Sequence, residues 1–178
     1  AGLDPKSEEQ CCSLVGKVNI ELKPNNIVFC NGEDVTKQIR EFSVSSNVSY
    51  IASYKCIRLE LVDQQRKIAK LGNCLMDGRD IGTYVLPNAD VKIFQVASLE
   101  ERTNRRFLEN KENGIPCSYE EVLSDLKKRD FIDSNRSFAP LKPAEDALVL
   151  DTTNMLFEDV VETIIDIIED KLGLKENV

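Results

Sequence analysis

The order of apolar and polar residues predicts strands in the first part of the chain. Residues 17–22 alternate between the two classes, which is typical of a half-buried strand, and residues 27–30 form a second apolar run. Asn25 and Asn26, between the two runs, favour a tight turn. The segment therefore predicts a small antiparallel hairpin.

Helical spacing replaces this alternation between residues 34 and 71. Short helices are expected first, and a longer one follows from about residue 56. In the longer one, Ile57, Leu61 and Ile68 fall on a single apolar stripe with charged residues opposite. This pattern predicts a helical segment that packs one face against a core.

Three sequences that match the capping box mark where other helices begin. In each, a serine is followed three residues later by Glu or Gln, so that both side chains can satisfy backbone N–H groups of the first turn. The pairs are Ser7 with Gln10, Ser98 with Glu101, and Ser118 with Glu121. They predict helices over about 8–16, 99–110 and 119–132, and periodicity predicts a last helix over about 154–173.

Apolar runs at 73–76, 91–96 and 147–150 predict three strands that alternate with those helices. Strands separated by helices are typical of a parallel sheet with helical crossovers. The sequence therefore predicts the α/β class, with a parallel sheet flanked by helices. Residues 17–71 are expected to form an α+β insertion beside that sheet.

Composition restricts the possible chemistry of the protein more than it restricts the possible fold. At 178 residues, with 42% hydrophobic and 30% charged residues, the chain is long enough for a sizeable core. Its net charge of −8 argues against non-specific nucleic-acid binding, which needs a basic face. The sequence has no histidine, which excludes a Ser-His-Asp or Cys-His mechanism. Phosphoryl transfer, which depends on positioning and charge neutralisation, needs no histidine.

The six cysteines predict a reducing environment. None forms a C-x-x-C pair, and the adjacent Cys11 and Cys12 are a poor start for a disulfide framework. Cys30 and Cys74 lie in apolar runs, where cysteine packs as a small hydrophobic residue. All six are expected to be free thiols. No signal peptide or membrane-length apolar run is visible, so the chain is expected to be cytoplasmic, without a membrane partner.

Arginine and aspartate concentrate in two segments. Residues 77–80, Asp-Gly-Arg-Asp, follow a predicted strand, where open α/β sheets bind ligands. The second segment contains Arg129, Asp130, Asp133 and Arg136. Six of the chain's nine arginines lie between residues 77 and 136. Because the guanidinium fork matches phosphate oxygens in pairs, the pattern predicts a site that grips phosphate and hydroxyl groups together.

Several of these residues also have an ordinary structural explanation. Arg105 and Arg106 follow acidic residues on a predicted helix, so surface ion pairs explain them as well as a ligand does. Arg129 could stabilise a helix end, and Asp133 lies one helical turn later, where the two could form a salt bridge. A salt bridge there is compatible with a role in binding.

Seven segments, taken in order and spacing, resemble the bacterial cytidylate kinases. Any one of them alone is a weak signal, but the ordered set spans the chain from about residue 14 to 172. They are 31–36 (NGEDVT), 77–83 (DGRDIGT), 86–89 (LPNA), 97–102 (ASLEER), 129–136 with its two Arg and two Asp, 139–141 (APL) and 150–153 (LDTT).

The resemblance implies a fold of the P-loop kinase type with a nucleotide-monophosphate-binding insertion and a mobile lid. It implies transfer of the ATP γ-phosphate to CMP or dCMP, with ATP and Mg²⁺ as cofactors. On this chain it implies a remnant helix of the core domain at 1–16 and a CMP-binding insertion at 17–71. The kinase core would be 72–178, with the lid at about 111–120.

The resemblance also implies which residues bind the nucleoside. Ser49, Arg58 and Asp80 would meet the cytosine edge, which offers an amino donor and two acceptors. Arg129 and Asp133 would hold the sugar hydroxyls.

Four arginines are implied in handling phosphate. Arg79 and Arg136 would clamp phosphates and neutralise charge as the phosphoryl group moves, which gives them the catalytic role. Arg105 and Arg106 would lie on the ATP side, near the lid. No residue is implied as a metal ligand.

The sequence departs from the family pattern in one respect. Members begin with a G-x-x-x-x-G-K-[ST] loop on the first strand and helix, and none of the eight glycines stands in that arrangement. Roughly forty residues, with the phosphate cradle and the first strand, are expected to be missing. This chain alone is therefore expected to bind ATP poorly and to catalyse weakly or not at all. An exposed sheet edge is expected to favour an oligomer.

Two other functions stay open at this point. One is a non-catalytic module that binds pyrimidine nucleotides, or an inactive fragment. The other is a kinase of a different small substrate on the same fold. In each case the expected partners are small-molecule nucleotides or similar metabolites.

Overall fold

The computed structural model describes residues 2–174, apart from the side chains of Phe42 and Ser45, so the last four residues of the predicted kinase core lie outside it. The chain divides into two compact units. The first consists of Ala1–Leu75 with Asn135–Phe138, and the second of Met76–Ser134 with Ala139–Val178. The assignment of 17–71 as a CMP-binding insertion stays a prediction. No helix of the described residues is both long and apolar enough to cross a bilayer.

The first unit contains the predicted hairpin. Strand β1 (Ile20–Lys23) pairs antiparallel with β2 (Ile27–Cys30). A single 3₁₀ turn at Pro24–Asn26 connects them, and its two asparagines adopt positive φ values of 62° and 57°, which this residue type tolerates. A third short strand, β3 (Glu33–Asp34), pairs antiparallel with β2.

Four α-helices complete the first unit, largely within the region of predicted helical spacing. They are α1 (Glu8–Cys12), α2 (Phe42–Ser45), α3 (Val48–Ser53) and α4 (Lys55–Ala69), with a 3₁₀ turn at Gln38–Arg40 before α2. Helix α4 packs against both α1 and α3. Its Val62 is 3% exposed and forms part of the core.

A disulfide joins Cys12 of α1 to Cys56 of α4, with Cα atoms 5.9 Å apart. The expectation that all six cysteines are free thiols is therefore wrong for this pair, while the other four are free. The two cysteines lie 44 residues apart in the chain. Their pairing follows from the packing of α1 on α4, which sequence spacing does not reveal.

The second unit contains a parallel pair of strands, β4 (Ile93–Val96) and β5 (Leu148–Asp151). Parallel neighbours need a long crossover connection. Here the connection contains α5 (Leu99–Glu112) and α6 (Tyr119–Asn135), and α7 (Phe157–Leu172) follows β5. The predicted α/β class and parallel pairing are confirmed at this level.

All three capping boxes start helices as expected. The serine hydroxyl accepts from a backbone N–H in each: from Gln10 at 3.4 Å, from Glu101 at 3.1 Å and from Glu121 at 3.2 Å. The box at Ser118 is reciprocal, because its backbone N–H donates to Glu121 Oε2 at 2.7 Å. The backbone N–H and hydroxyl of Ser118 lower the pKa of Glu121.

The predicted strand at 73–76 is wrong. These residues form no strand, Leu75 is 81% exposed, and Cys74 is exposed rather than packed as a core residue. A strand is defined by hydrogen bonds to a neighbour. Among the described residues the parallel sheet consists of β4 and β5 alone, so this apolar run has no partner strand there.

The apolar residues of α7 occupy a wider face than the fold covers. Val160 is buried and Ile164 and Ile168, each one turn further on, are half-buried. By contrast, Phe157 is 78% exposed and Ile165 is 48% exposed. A helix that packs on one side shelters a single stripe, so the apolar residues beside that stripe face outward.

Candidate active site

The Asp-Gly-Arg-Asp segment at 77–80 is followed by a tight backbone turn that begins at the carbonyl of its last residue, Asp80. Ile81–Val85 form a π-helical turn in which the Asp80 carbonyl accepts from the Tyr84 N–H at 2.9 Å. Val85 is 1% exposed and anchors the turn, and Asp80 is itself 4% exposed. A Cβ at position 78 would lie 2.9 Å from an Ile81 carbon, so glycine suits the close approach there.

A buried carboxylate in the second unit is shared by two guanidinium groups. Arg79 Nε donates to Asp133 Oδ2 at 3.1 Å, and Arg129 Nε lies 3.7 Å from the same oxygen. The Asp133 side chain is 4% exposed, whereas the Arg79 and Arg129 side chains are 42% and 39% exposed. The cluster is therefore buried on its anionic side and accessible on its cationic side.

The charge balance of this cluster favours an anion. Burial is the main cause that lowers the pKa of Arg129, and the positive charges of Arg79 and Arg106 lower it further, against the opposing effects of Asp133 and Asp130. Two guanidinium groups share one buried carboxylate, which leaves an excess of positive charge. Binding an anion would relieve this repulsion between cations.

One donor in the cluster lacks an acceptor. Arg129 Nε is buried and, within the part of the chain that the structure describes, has no hydrogen-bond partner. Its 3.7 Å separation from Asp133 Oδ2 is an ion-pair distance that is too long for a hydrogen bond. Buried donors without an acceptor are rare in folded proteins. A ligand oxygen at this position would complete the arrangement.

Asp130 belongs to a different contact. Its Oδ2 lies 2.8 Å from Arg102 Nη2, and Arg102 Nε donates to the Ala97 carbonyl at 3.0 Å. Because Arg102 lies on α5 and Asp130 on α6, this pair cross-links the two helices. This structural contact accounts for Asp130, which the sequence grouped with Arg129, Asp133 and Arg136 but to which the resemblance gave no role.

Arg105, predicted on the ATP side, holds the loop after β5. Its Nε donates to Glu101 Oε1 at 2.6 Å, while Nη1 and Nη2 donate to the hydroxyl and carbonyl oxygens of Thr152 at 3.3 and 2.6 Å. Nη2 also donates to the Met155 carbonyl at 3.3 Å. These contacts give Arg105 a structural function whether or not it also meets ATP.

Arg106 makes a simpler contact. Its Nη1 donates to Glu109 Oε2 at 2.9 Å, one turn along α5, and the two side chains are 40% and 56% exposed. This is the surface pair that helical spacing alone would produce. Its assignment to ATP stays a prediction.

The different contacts of Arg105 and Arg106 predict different effects on stability. Arg105→Lys keeps the charge but removes the fork that binds Thr152 and Met155, so we expect a loss of about 1–2 kcal/mol in the free energy of unfolding. Arg106→Lys is the matched control, with an expected change within about 0.5 kcal/mol. Urea unfolding followed by circular dichroism measures both, because the chain has no tryptophan. Equal losses in the two variants would contradict the structural role of Arg105.

Three other predicted residues lie in the first unit. Ser49 lies on α3 and Arg58 on α4, two helices that pack together, and Arg136 directly follows α6. All three are buried, with exposures of 7%, 7% and 8%. The first unit thus contains Ser49, Arg58 and Arg136. The second unit contains the other six predicted residues, which are Arg79, Asp80, Arg105, Arg106, Arg129 and Asp133.

Burial separates most of the predicted site residues from ordinary surface residues. The buried polar side chains of the described residues are Ser49, Arg58, Asp80, Thr103, Asn110, Asp133, Arg136 and Thr152. Five of these eight are residues that the sequence assigned to the substrate or to catalysis. A polar group is costly to bury without partners, so these side chains are built into the fold.

A cavity of about 120 Å³ opens beside the Asp-Gly-Arg-Asp segment in the second unit. Residues 77–83 form one side, and Lys92 and Lys142 are among the other lining residues. The volume is below the roughly 300 Å³ at which small-molecule pockets begin, so this cavity does not enclose a nucleotide by itself. It shows that space adjoins Arg79 and Asp80.

Sequence reasoning missed two residues that shape this region. Thr152 is fully buried, and both its N–H and its hydroxyl donate to the Val96 carbonyl, at 2.8 and 3.1 Å, which ties the ends of β4 and β5 together. The Lys92 side chain is 7% exposed, and its Nζ binds Asp146 Oδ2 at 2.7 Å and the Pro87 carbonyl. The one sequence signal for the Lys92 contact is the position of this lysine within an apolar run.

Comparison with known proteins gives a consistent result. A family model described as "Cytidylate kinase" matches residues 1–170. The chain is similar to the cytidylate kinase of Anoxybacillus flavithermus, with 46% identity over 174 residues, which cover 96% of this chain and 77% of that protein. It is 48% identical over 169 residues to the cytidylate kinase of Geobacillus sp. (strain WCH70), covering 93% and 75% of the two chains. The enzyme of that name from Geobacillus thermodenitrificans is 46% identical over 175 residues, covering 97% and 78%.

Proposed function

The chain belongs to the cytidylate kinase family. We propose that it binds CMP or dCMP and takes part in the transfer of a phosphoryl group from ATP to that nucleotide, which gives CDP or dCDP. The observation that best supports this is the Asp133 carboxylate, buried beneath Arg79 and Arg129. Such a cluster offers fixed cationic groups to an anionic ligand.

Arg79 is proposed to bind the phosphate of the nucleotide. Its Nε–H is held by Asp133, which fixes the plane of the guanidinium group, and its side chain is 42% exposed. A fixed and accessible guanidinium group can meet phosphate oxygens without first being ordered, and it can neutralise charge as the phosphoryl group moves. Arg136 is proposed as a second phosphate ligand from the resemblance and its burial.

Arg129 and Asp133 are proposed to hold the sugar hydroxyls. The unsatisfied Arg129 Nε–H needs an acceptor, and Asp133 Oδ2 already receives one guanidinium hydrogen bond. A sugar hydroxyl can both accept a hydrogen bond and donate one. It therefore suits a position between a cation and a carboxylate.

Asp80 is proposed to read the cytosine amino group, with Ser49 and Arg58 meeting other positions of the base edge. A carboxylate accepts from an amino group, while a hydroxyl and a guanidinium group can donate to the ring nitrogen and carbonyl of cytosine. All three side chains are at least nine-tenths buried. Buried polar groups discriminate well, because a wrong base leaves them unpaired.

The residues of this sequence do not include a comparable set of contacts for the ATP phosphates and Mg²⁺. The sequence contains no G-x-x-x-x-G-K-[ST] segment, so we assign none of its residues to the metal. Arg105 and Arg106 remain the proposed contacts on the ATP side. A polypeptide of these 178 residues is therefore proposed to bind CMP but to bind ATP weakly and to turn over slowly or not at all.

Isothermal titration of the chain with CMP, UMP, AMP and ATP tests this proposal. We expect CMP to bind more tightly than UMP and AMP, and ATP to bind most weakly. Preferential binding of AMP would remove the cytosine assignment. Binding of none of the four nucleotides would identify the 178-residue polypeptide as an inactive fragment.

Asp80→Asn tests the base assignment at nearly constant volume. The amide is a weaker acceptor than the carboxylate, and it brings an amino group towards that of cytosine. We expect a loss of about 1–3 kcal/mol in CMP binding, with UMP much less affected. The ratio of the two affinities from the same titrations gives the readout. An unchanged CMP-to-UMP ratio means that Asp80 does not read the base.

A second candidate is a pyrimidine-nucleotide-binding module without catalysis. The favouring observation is that the guanidinium cluster on Asp133 offers cationic groups to an anionic nucleotide whether or not a phosphoryl group is then transferred. Measurement of ADP release from ATP in the presence of CMP separates the two functions. CMP binding with no CMP-dependent ADP release would favour the module.

A further inference from the structure

Three potential metal ligands meet in the first unit where α1 packs on α4. They are a carboxylate oxygen of Glu8, Cys12 Sγ and Cys56 Sγ, and each lies within 4.8 Å of the other two. Glu8 and Cys12 are four residues apart, which places them on the same face of α1. Cys56 is the second residue of α4. The proposed nucleotide site uses none of these three residues.

Contacts other than the disulfide also hold these residues together. The Tyr54 hydroxyl, at the start of α4, donates to the Pro5 carbonyl at 3.1 Å, just before α1. Buried Cys11 Sγ donates to the Asp4 carbonyl at 3.5 Å. The Tyr54 contact thus links the start of α4 to the segment before α1 independently of the bond between the sulfur atoms.

We propose that, in its reduced state, the chain binds one thiophilic divalent cation such as Zn²⁺ through Glu8, Cys12 and Cys56. Two thiolates select a soft or borderline metal over Mg²⁺, which prefers oxygen ligands alone. Zn²⁺ accepts sulfur and carboxylate ligands together and is often held by three protein ligands with water in the fourth position. Glu8 is exposed and the two cysteines are half-buried, so water has access to this group of residues.

The chemistry of the site has two states. A thiol reductant supplies two electrons and two protons, the bond between Cys12 and Cys56 breaks, and the reductant is oxidised to its own disulfide. Zn²⁺ then displaces both thiol protons and binds the two thiolates and Glu8. The disulfide and the metal exclude each other, and each joins α1 to α4.

Metal titration of the 178-residue chain tests the proposal. The chain is reduced, freed of metal and titrated without oxygen, with Cd²⁺ as a spectroscopic probe and Zn²⁺ in competition with a chromophoric chelator. We expect one equivalent to bind and to produce a thiolate-to-cadmium charge-transfer band. The same chain with the disulfide intact is expected to show neither. Equal binding by the reduced and oxidised forms overturns the proposal.

Variants identify the ligands. Cys12→Ser is expected to weaken Zn²⁺ binding by more than about a hundredfold, since even residues that only hydrogen-bond to metal ligands are worth about 10- to 100-fold. Cys74→Ser, at an exposed free cysteine, is the control and should change nothing. Unchanged affinity in Cys12→Ser overturns the proposal.

A second pair of variants avoids any effect of the cysteines on folding. Glu8→Gln removes the carboxylate ligand from an exposed position, and Glu9→Gln changes the charge of α1 equally at the next position. We expect about a tenfold or greater loss of Zn²⁺ affinity in the first and none in the second. Equal affinities in these two variants remove Glu8 from the site and, with it, the three-ligand proposal.

Discussion

Arg79→Ala is expected to weaken CMP binding by about 2–5 kcal/mol, the range found when one partner of a hydrogen-bonded charge pair is truncated. The lower limit corresponds to a factor of about 30 in the dissociation constant. Arg79 combines a fixed orientation, from its 3.1 Å bond to Asp133, with a side chain that is 42% exposed. Its loss removes a cation that needs no reorganisation to meet the phosphate.

Comparison of CMP with cytidine isolates the phosphate contact. If Arg79 binds the phosphate, calorimetric titration of Arg79→Ala should show the loss for CMP and almost none for cytidine, which lacks the phosphate. Arg79→Lys should give an intermediate loss, because it keeps the charge but not the planar fork. An equal loss for cytidine and CMP would mean that the substitution disturbs the fold of the site rather than a phosphate contact.

Arg102→Ala is the matched control for this experiment. Arg102 is also an arginine of the second unit, with a side chain 35% exposed, but it pairs with Asp130 and the Ala97 carbonyl. Its replacement lowers the positive charge by the same amount without touching the cluster on Asp133. We expect CMP affinity to change by less than about 0.5 kcal/mol. A change as large as that of Arg79→Ala would point to a general effect of charge.

Local signals explain which parts of the fold were predictable. A capping box contains both of its partners within four residues, so Ser98 and Ser118 identified the starts of α5 and α6 from sequence alone. The hairpin of β1 and β2 is equally local, since its turn residues accept positive φ. Residues 73–76 show the limit, because an apolar run becomes a strand only when a partner lies beside it.

Contacts between segments that are distant in the sequence were harder to predict. The ion pair of Arg129 and Asp133 could be predicted from their spacing of four residues on α6. Arg79 contacts the same carboxylate although it lies 54 residues earlier in the sequence. The clustering of Arg and Asp predicted a shared site, but the sequence did not reveal that Arg79 and Arg129 meet at Asp133. The disulfide, whose cysteines lie 44 residues apart in the chain, has no comparable sequence signal, because it depends on how the helices pack. The buried Thr152 lies in the 150–153 motif, but the motif does not reveal its contacts.

Asp133→Asn is expected to lower the free energy of unfolding by about 2–3 kcal/mol. Removal of one partner from a buried ion pair typically costs about 3–5 kcal/mol, because the remaining charge is left without compensation. Here the remaining charges are Arg79 and Arg129, whose side chains are 42% and 39% exposed, so water compensates part of the loss. The backbone bond from the Leu141 N–H to the Asp133 carbonyl, 2.8 Å long, does not involve the side chain and should persist.

Asp130→Asn, three residues earlier on α6, is the control for this variant. Its carboxylate is 32% exposed and pairs with Arg102, so its replacement should cost no more than about 1 kcal/mol. Urea unfolding of both variants, followed by circular dichroism, measures the difference between a buried and a partly exposed carboxylate on one helix. If the two variants unfold at the same urea concentration, the Asp133 cluster is an ordinary surface ion pair. Its positive charge would then have no fixed geometry to offer a nucleotide, and the proposed phosphate role of Arg79 would lose its structural basis.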